Sequence, residues 1–226
     1  MIIKPAVIPK SLEDFEDAAN FAKGKVPMIH IDMCDGIYVP SKSWPFLNQK
    51  GMEEMKAFIK GEAGLPGWEE LEYEVDLMVA NPLEVMNAWL TAGASSFVVH
   101  AEKLESDVFE QVLQKAHELE SSLIISFNPG TDINKHKDFL EKSDGIQLMG
   151  IGRIGYQGED FDERVFDQIK IAKEISNGNK KIQIDGAVNI DTKEDLVNSG
   201  ADILVVGSGI FNDSNPQQAL ESLLQD

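Results

Sequence analysis

Short runs in which nearly every position, or every second one, is apolar alternate along this chain with longer stretches whose apolar residues recur every three or four positions. The first pattern predicts strands at 2–8, 26–32, 71–78, 95–101, 122–127, 144–150, 180–185 and 202–206. The second predicts helices near 11–23, 49–60, 82–92, 105–119, 132–141, 160–176, 190–198 and 216–225. Start signals fall where these helices should open: Ser11 with Asp14 three residues on, Asn81-Pro82, Asn189 and Asn215-Pro216. Eight strand–helix units match the count of a closed (β/α)8 TIM barrel, although periodicity alone leaves an open doubly wound sheet as the alternative. The Gly/Pro-bearing segments 36–47, 61–67 and 151–160 read as loops within the repeat, and no linker or composition shift divides residues 1–226, so one barrel domain is expected.

Charge narrows the partners. Among 226 residues, 39 acidic and 20 basic side chains give a formal charge of −19. Such an excess repels nucleic-acid backbones and anionic membrane surfaces, so neither is an expected partner. An anionic small molecule would need a local electropositive site, built from a metal ion or helix N-termini. Cys34 is the single cysteine, which excludes an intrachain disulfide and a thiol-only zinc site. The opening MIIKPAVIPK is too short and too interrupted for a signal peptide, and no apolar run nears the ~20 residues of a membrane span, so a cytoplasmic location is expected.

In a parallel barrel the chemistry collects where strands end on the C-terminal face. Along MIHIDMC, period-two geometry places Met28, His30 and Asp32 on one side and Ile29 and Ile31 on the other. The same alternation puts Glu72, Glu74, Asp76 and Met78 together on the third strand, and Gln183 with Asp185 on the seventh. A lone inward histidine is more often a satisfied core residue, but a His-x-Asp pair at a strand end combines two metal-ligand types facing one way. His30, Asp32, Asp76 and Asp185 thus form a candidate oxygen-rich site for Zn, Mn, Fe or Co. The glycine turn Gly207-Ser208-Gly209 leads from the last strand into a short helix, and with Gly186 and the Gly155–Gly158 loop it is a candidate phosphate cradle.

These motifs resemble the ribulose-phosphate 3-epimerase family along nearly the whole chain. His30-Ile31-Asp32-Met33-Cys34-Asp35-Gly36, followed by Tyr38-Val39-Pro40, is similar to its H-x-D-x-M-D-G-x-F-V-P signature. Leu77-Met78-Val79, His100-Ala101-Glu102, Asn128-Pro129-Gly130-Thr131, Asp185-Gly186 and Gly207-Ser208-Gly209-Ile210-Phe211 follow in the family's order. The resemblance implies a metal-dependent isomerase that inverts C3 of a ketose phosphate, D-ribulose 5-phosphate to D-xylulose 5-phosphate, with no organic cofactor. It implies acid/base roles for Asp32 and Asp185, metal ligation by these two with His30, and a fourth ligand at position 76. Cys34, Met78 and Met149 would cap the flat intermediate, and a homo-oligomer is suggested.

Departures from the family pattern are specific. Asp76 stands where the family has a histidine ligand, Ala6 replaces a substrate-contacting serine, and Cys34 replaces a methionine. The G-F-G-G-Q loop becomes Gly155-Tyr156-Gln157-Gly158-Glu159 with Arg153 nearby, and Ala187 replaces the second glycine of D-G-G. Two alternatives therefore accompany the main reading: action on another ketose phosphate such as a hexulose 6-phosphate, and a sugar-phosphate-binding homologue without turnover.

Overall fold

The computed structural model describes residues 1–225. Eight strands, β1 (Ile2–Val7), β2 (Met28–Cys34), β3 (Glu72–Met78), β4 (Ser96–His100), β5 (Ser122–Phe127), β6 (Gly145–Met149), β7 (Lys181–Asp185) and β8 (Ile203–Val206), form a closed barrel in sequence order. The open sheet is thereby excluded. The helices are α1 (Leu12–Ala22), α2 (Gln49–Ile59), α3 (Pro82–Ala92), α4 (Ser106–Glu118), α5 (Lys137–Lys142), α6 (Arg164–Ile175), α7 (Ile190–Ser199), α8 (Ser208–Phe211) and α9 (Pro216–Leu224). Two compact units carry these elements: Ala6–Val99 with Glu105–Leu123, and Met1–Pro5 with His100–Leu104 and Ile124–Asp226.

In the first unit, β2 and β3 pair one to one, with His30 beside Glu74 and Asp32 beside Asp76. Strands covered on both faces lose the apolar–polar alternation, and every residue of β2 from Ile29 to Cys34 is buried. The chemical distinction between faces survives: Tyr73 on β3 turns to the helices and meets Phe15 of α1 edge-on at 5.6 Å, while its neighbours Glu74 and Asp76 point away from them. Phe15 also stacks on Trp44 at 5.5 Å and meets Trp89 of α3 edge-on at 5.8 Å. Each such aromatic, fully withdrawn from water, contributes roughly 1.5–3 kcal/mol.

In the second unit, β6 and β7 align Gln147 with Gln183 and Met149 with Asp185. The buried Lys4 ammonium donates to Gln183 Oε1 at 2.9 Å, Gln183 Nε2 donates to Gln147 Oε1 at 2.6 Å, and Gln147 Nε2 reaches Ser126 Oγ at 3.3 Å. This chain of hydrogen bonds satisfies a polar layer that would otherwise be costly to bury.

Capping follows the sequence closely. Ser11 Oγ accepts from Asp14 N, and Asp14 returns the bond to Lys10 N one residue upstream of the usual partner. Asn81, Asn189 and Asn215 cap α3, α7 and α9, with Pro82 and Pro216 in first-turn positions. Two helices differ from expectation. The stretch 132–141 is a 3-10 turn, Ile133–His136, followed by the six-residue α5, because Asp132 draws Asn134 N into a tight turn. The helix expected from 160 begins at Arg164, since Asp162 N turns back to Gly150 O at 2.8 Å and closes the neck of the preceding loop.

Candidate functional site

His30, Asp32, Asp76 and Asp185 come together: one ligand atom from each lies within 4.8 Å of every other. The parallel register explains the part contributed by β2 and β3. Asp32 and Asp76 are direct partners near the C-terminal ends of their strands, one step above His30 and Glu74. The imidazole is fully buried, and Asp32 is 6% exposed.

The two ring nitrogens of His30 have different surroundings. Nδ1 sits 2.8 Å from Glu74 Oε1, whose other oxygen accepts from Ser96 Oγ at 2.9 Å. Nε2 is buried without a hydrogen-bond partner, 3.5 Å from Asp32 Oδ1 and 3.8 Å from Asp76 Oδ2. Burial opposes a charge on this ring, yet Asp32 and Glu74 together outweigh burial and lift its pKa well above the ordinary value. The pocket around the ring is strongly electronegative.

A divalent cation fits this donor set. Two donors that each lie ~2 Å from one ion are separated by up to about 4 Å, which is the spacing of Nε2 from the two carboxylate oxygens. Three clustered carboxylates would repel one another without a cation or protons between them.

Cys34 and Met78 are paired across β2 and β3, both buried, and Met149 is the β6 neighbour of Asp185. Burial first, and then the charge of Asp32, push the Cys34 thiol up to about 12. It therefore stays neutral. Ala6 of β1 aligns with His30 in the ladder, so its methyl group occupies the strand position next to the imidazole.

The glycine motifs form a set of close backbone approaches. A Cβ on Gly150 would lie 2.3 Å from the Gly186 carbonyl oxygen, and a Cβ on Gly209 would lie 2.5 Å from that of Val188. Gly150 N also donates to Asp185 O at 2.6 Å. The turn after β7, carrying Gly186 in the left-handed region at φ 104, is thus gripped on one side by the end of β6 and on the other by α8. Gly207 caps α8 and Ser208 is its first residue. Gly155 and Gly158 lie in the loop between β6 and α6, where the Arg153 guanidinium stacks over Tyr156 at 3.8 Å.

Sequence reasoning assigned no task to Glu74, Asp35 or Gly150. Asp35 accepts from Ile37 N and Tyr38 N with one oxygen and from Ala80 N, across to the β3 loop, with the other. The D-G pair at 35–36 was the available signal for that brace. Glu74 and Gly150 gain their partners only through strand pairing and loop closure.

Comparison with known proteins shows the family. Residues 2–211 match the family described as the ribulose-phosphate 3 epimerase family. The chain is 30% identical to "Ribulose-phosphate 3-epimerase" of Aquifex aeolicus over 192 residues, covering 84% of this chain and 79% of that protein. It is 26% identical to the Bacillus subtilis protein of the same description, covering 89% and 87%. Among solved structures, a 3-hexulose-6-phosphate synthase superposes with a TM-score of 0.68 at 17% identity, covering 99% and 98% of the two chains. KGPDC from Streptococcus mutans in complex with D-R5P gives 0.68 at 12% identity, covering 98% and 94%. At these identities the structural likenesses bear on the fold alone.

Proposed function

Because the chain belongs to the ribulose-phosphate 3-epimerase family and is an isomerase-class carbohydrate epimerase, we propose that it interconverts D-ribulose 5-phosphate and D-xylulose 5-phosphate by inverting C3 with the help of a divalent cation. The observation that carries this reading is the convergence of His30, Asp32, Asp76 and Asp185 on one small volume.

Asp32 and Asp185 are the acid/base pair. One takes the proton from the carbon beside the ketone and the other supplies a proton to the opposite face. Their roles exchange with the direction of the reaction. His30, Asp32, Asp76 and Asp185 would hold the cation, which supplies Lewis-acid stabilisation of the negative charge that develops on the substrate oxygens. Cys34, Met78 and Met149 present sulfur-bearing, uncharged surface to the planar intermediate, and the neutral thiol keeps Cys34 from adding a fourth negative charge. The phosphate rests on backbone N–H groups around Gly186, Gly207 and Ser208, with the loop of Gly155 and Gly158 closing over it.

The test is solvent exchange at C3. In deuterated water with Mn²⁺ or Zn²⁺ present, the unaltered protein should incorporate deuterium at C3 and form xylulose 5-phosphate. Asp32→Asn and Asp185→Asn should each lower this exchange by about 10² or more. Full exchange in both variants would overturn the acid/base assignment, and turnover of a hexulose 6-phosphate in preference to the pentulose would overturn the substrate.

A further inference from the structure

We infer that Glu74 is a positioning residue that holds the His30 proton on Nδ1 and turns Nε2 toward the acidic cluster, where its lone pair becomes available when a cation takes the place of the Nε2 proton. The inference deepens the reading of that cluster as a cation site and rests on it.

Ser96 Oγ donates to Glu74 Oε2 at 2.9 Å while His30 Nδ1 lies 2.8 Å from Oε1, so the side chain is placed as an acceptor at both ends. A carboxylate has no proton to offer, and the short contact to Nδ1 therefore requires the proton on the ring nitrogen. The opposite tautomer would set the Nδ1 lone pair against an anion with no water to separate them, since both side chains are fully buried.

Strand register makes the arrangement rigid. His30 aligns with Glu74, and Glu74 with Ser96, so β2, β3 and β4 supply one side chain each to a single layer. The ladder's next level on β2 and β3 holds Asp32 and Asp76, the two carboxylates that Nε2 faces. His30 contributes the one imidazole in a group otherwise made of carboxylates, so its orientation decides whether that group has any nitrogen donor. An anion behind the ring also makes Nε2 a stronger donor, the effect expected of a carboxylate–histidine pair beside a metal.

The experiment measures Mn²⁺ and Zn²⁺ binding by calorimetry on the full chain and records the visible spectrum of the Co²⁺-loaded protein. Glu74→Gln keeps the size and one acceptor oxygen but removes the charge. It should weaken cation binding by roughly 10- to 100-fold and shift the Co²⁺ bands. Ser96→Ala, which frees one end of Glu74, should weaken binding by a smaller factor, and it carries the test if Glu74→Gln melts below the assay temperature. Wild-type affinity and an unchanged Co²⁺ spectrum in the folded variants would overturn the role of Glu74 while leaving the cation site intact. Failure of the unaltered protein to bind any of the three cations would overturn the cation site, and this inference with it.

Discussion

Gly150 and Gly186 meet backbone to backbone: a single added carbon on Gly150 would lie 2.3 Å from the Gly186 carbonyl oxygen. That approach joins the end of β6 to the turn after Asp185, so the carboxylate proposed for acid/base chemistry and the proposed phosphate cradle share one piece of backbone. Gly150→Ala should cost about 1–3 kcal/mol of stability, as overpacking does. It should also raise KM for ribulose 5-phosphate more than it lowers kcat. Denaturant melts and steady-state kinetics on one preparation check both parts, and an unchanged KM would show that the two loops tolerate separation.

Ala187 adopts the left-handed conformation at φ 53, in the position where the resembled motif has glycine. An alanine there carries a steric cost that glycine avoids, set against the greater chain entropy that glycine loses on folding. The strain should win. Ala187→Gly is expected to stabilise the fold by up to about 1 kcal/mol, read as a higher midpoint in urea with an unchanged slope.

With its pKa at about 12, the Cys34 thiol carries on the order of one thiolate in 10⁴ at pH 8. It is also fully buried. The folded protein should therefore resist thiol-reactive reagents at that pH and take up one equivalent when urea unfolds it. Prompt labelling of the native protein would contradict the burial.

Asp76 gives this site a carboxylate where the resembled family has an imidazole. Oxygen donors favour harder cations, so Asp76→His should raise affinity for Zn²⁺ relative to Mn²⁺ by about tenfold or more. Competition between the two ions, followed by elemental analysis of the dialysed protein, gives the ratio.

Asp202 offers a pH test away from the site. Burial disfavours its charge, but the Lys181 ammonium and the Ile182 N–H bound to its two oxygens prevail and hold its carboxyl below the ordinary value. A lowered folded-state pKa means that the stabilisation is complete above pH ~4 and is lost as pH falls through the lowered value. Lys181→Met should lower stability near pH 7 and flatten the acid limb of the stability curve, so that the two proteins converge once the pH lies below the lowered value. Urea midpoints between pH 2.5 and 7 show whether it does.

Much of this structure is legible in the sequence because its signals are local. Asn81-Pro82 and Asn215-Pro216 mark helix starts through bonds that reach two or three residues, and the alternation in MIHIDMC separates His30 and Asp32 from Ile29 and Ile31 without reference to any other strand. The same logic placed His30, Asp32, Asp76 and Asp185 in one cluster. Glu74 resisted it because nothing near position 74 announces that its partner lies 44 residues earlier. The start of α6 is hidden for a related reason: the bond from Asp162 N to Gly150 O belongs to loop closure and leaves no periodic trace. On this strand face, chemistry became visible when its members were of recognised ligand types, and the residue that orients them stayed hidden.

Trp44 and Trp89 lie with their ring centres 6.3 Å apart in the apolar cluster around Phe15, and Trp68, the remaining indole of the chain, belongs to the same unit. Intrinsic emission excited at the red edge therefore reports on residues 6–99 and is blind to the stretch that contains Asp185. Placing a reporter such as Phe166→Trp in α6 would give that stretch its own optical signal, and coincident or staggered transitions would then reveal whether the barrel comes apart in one event or two.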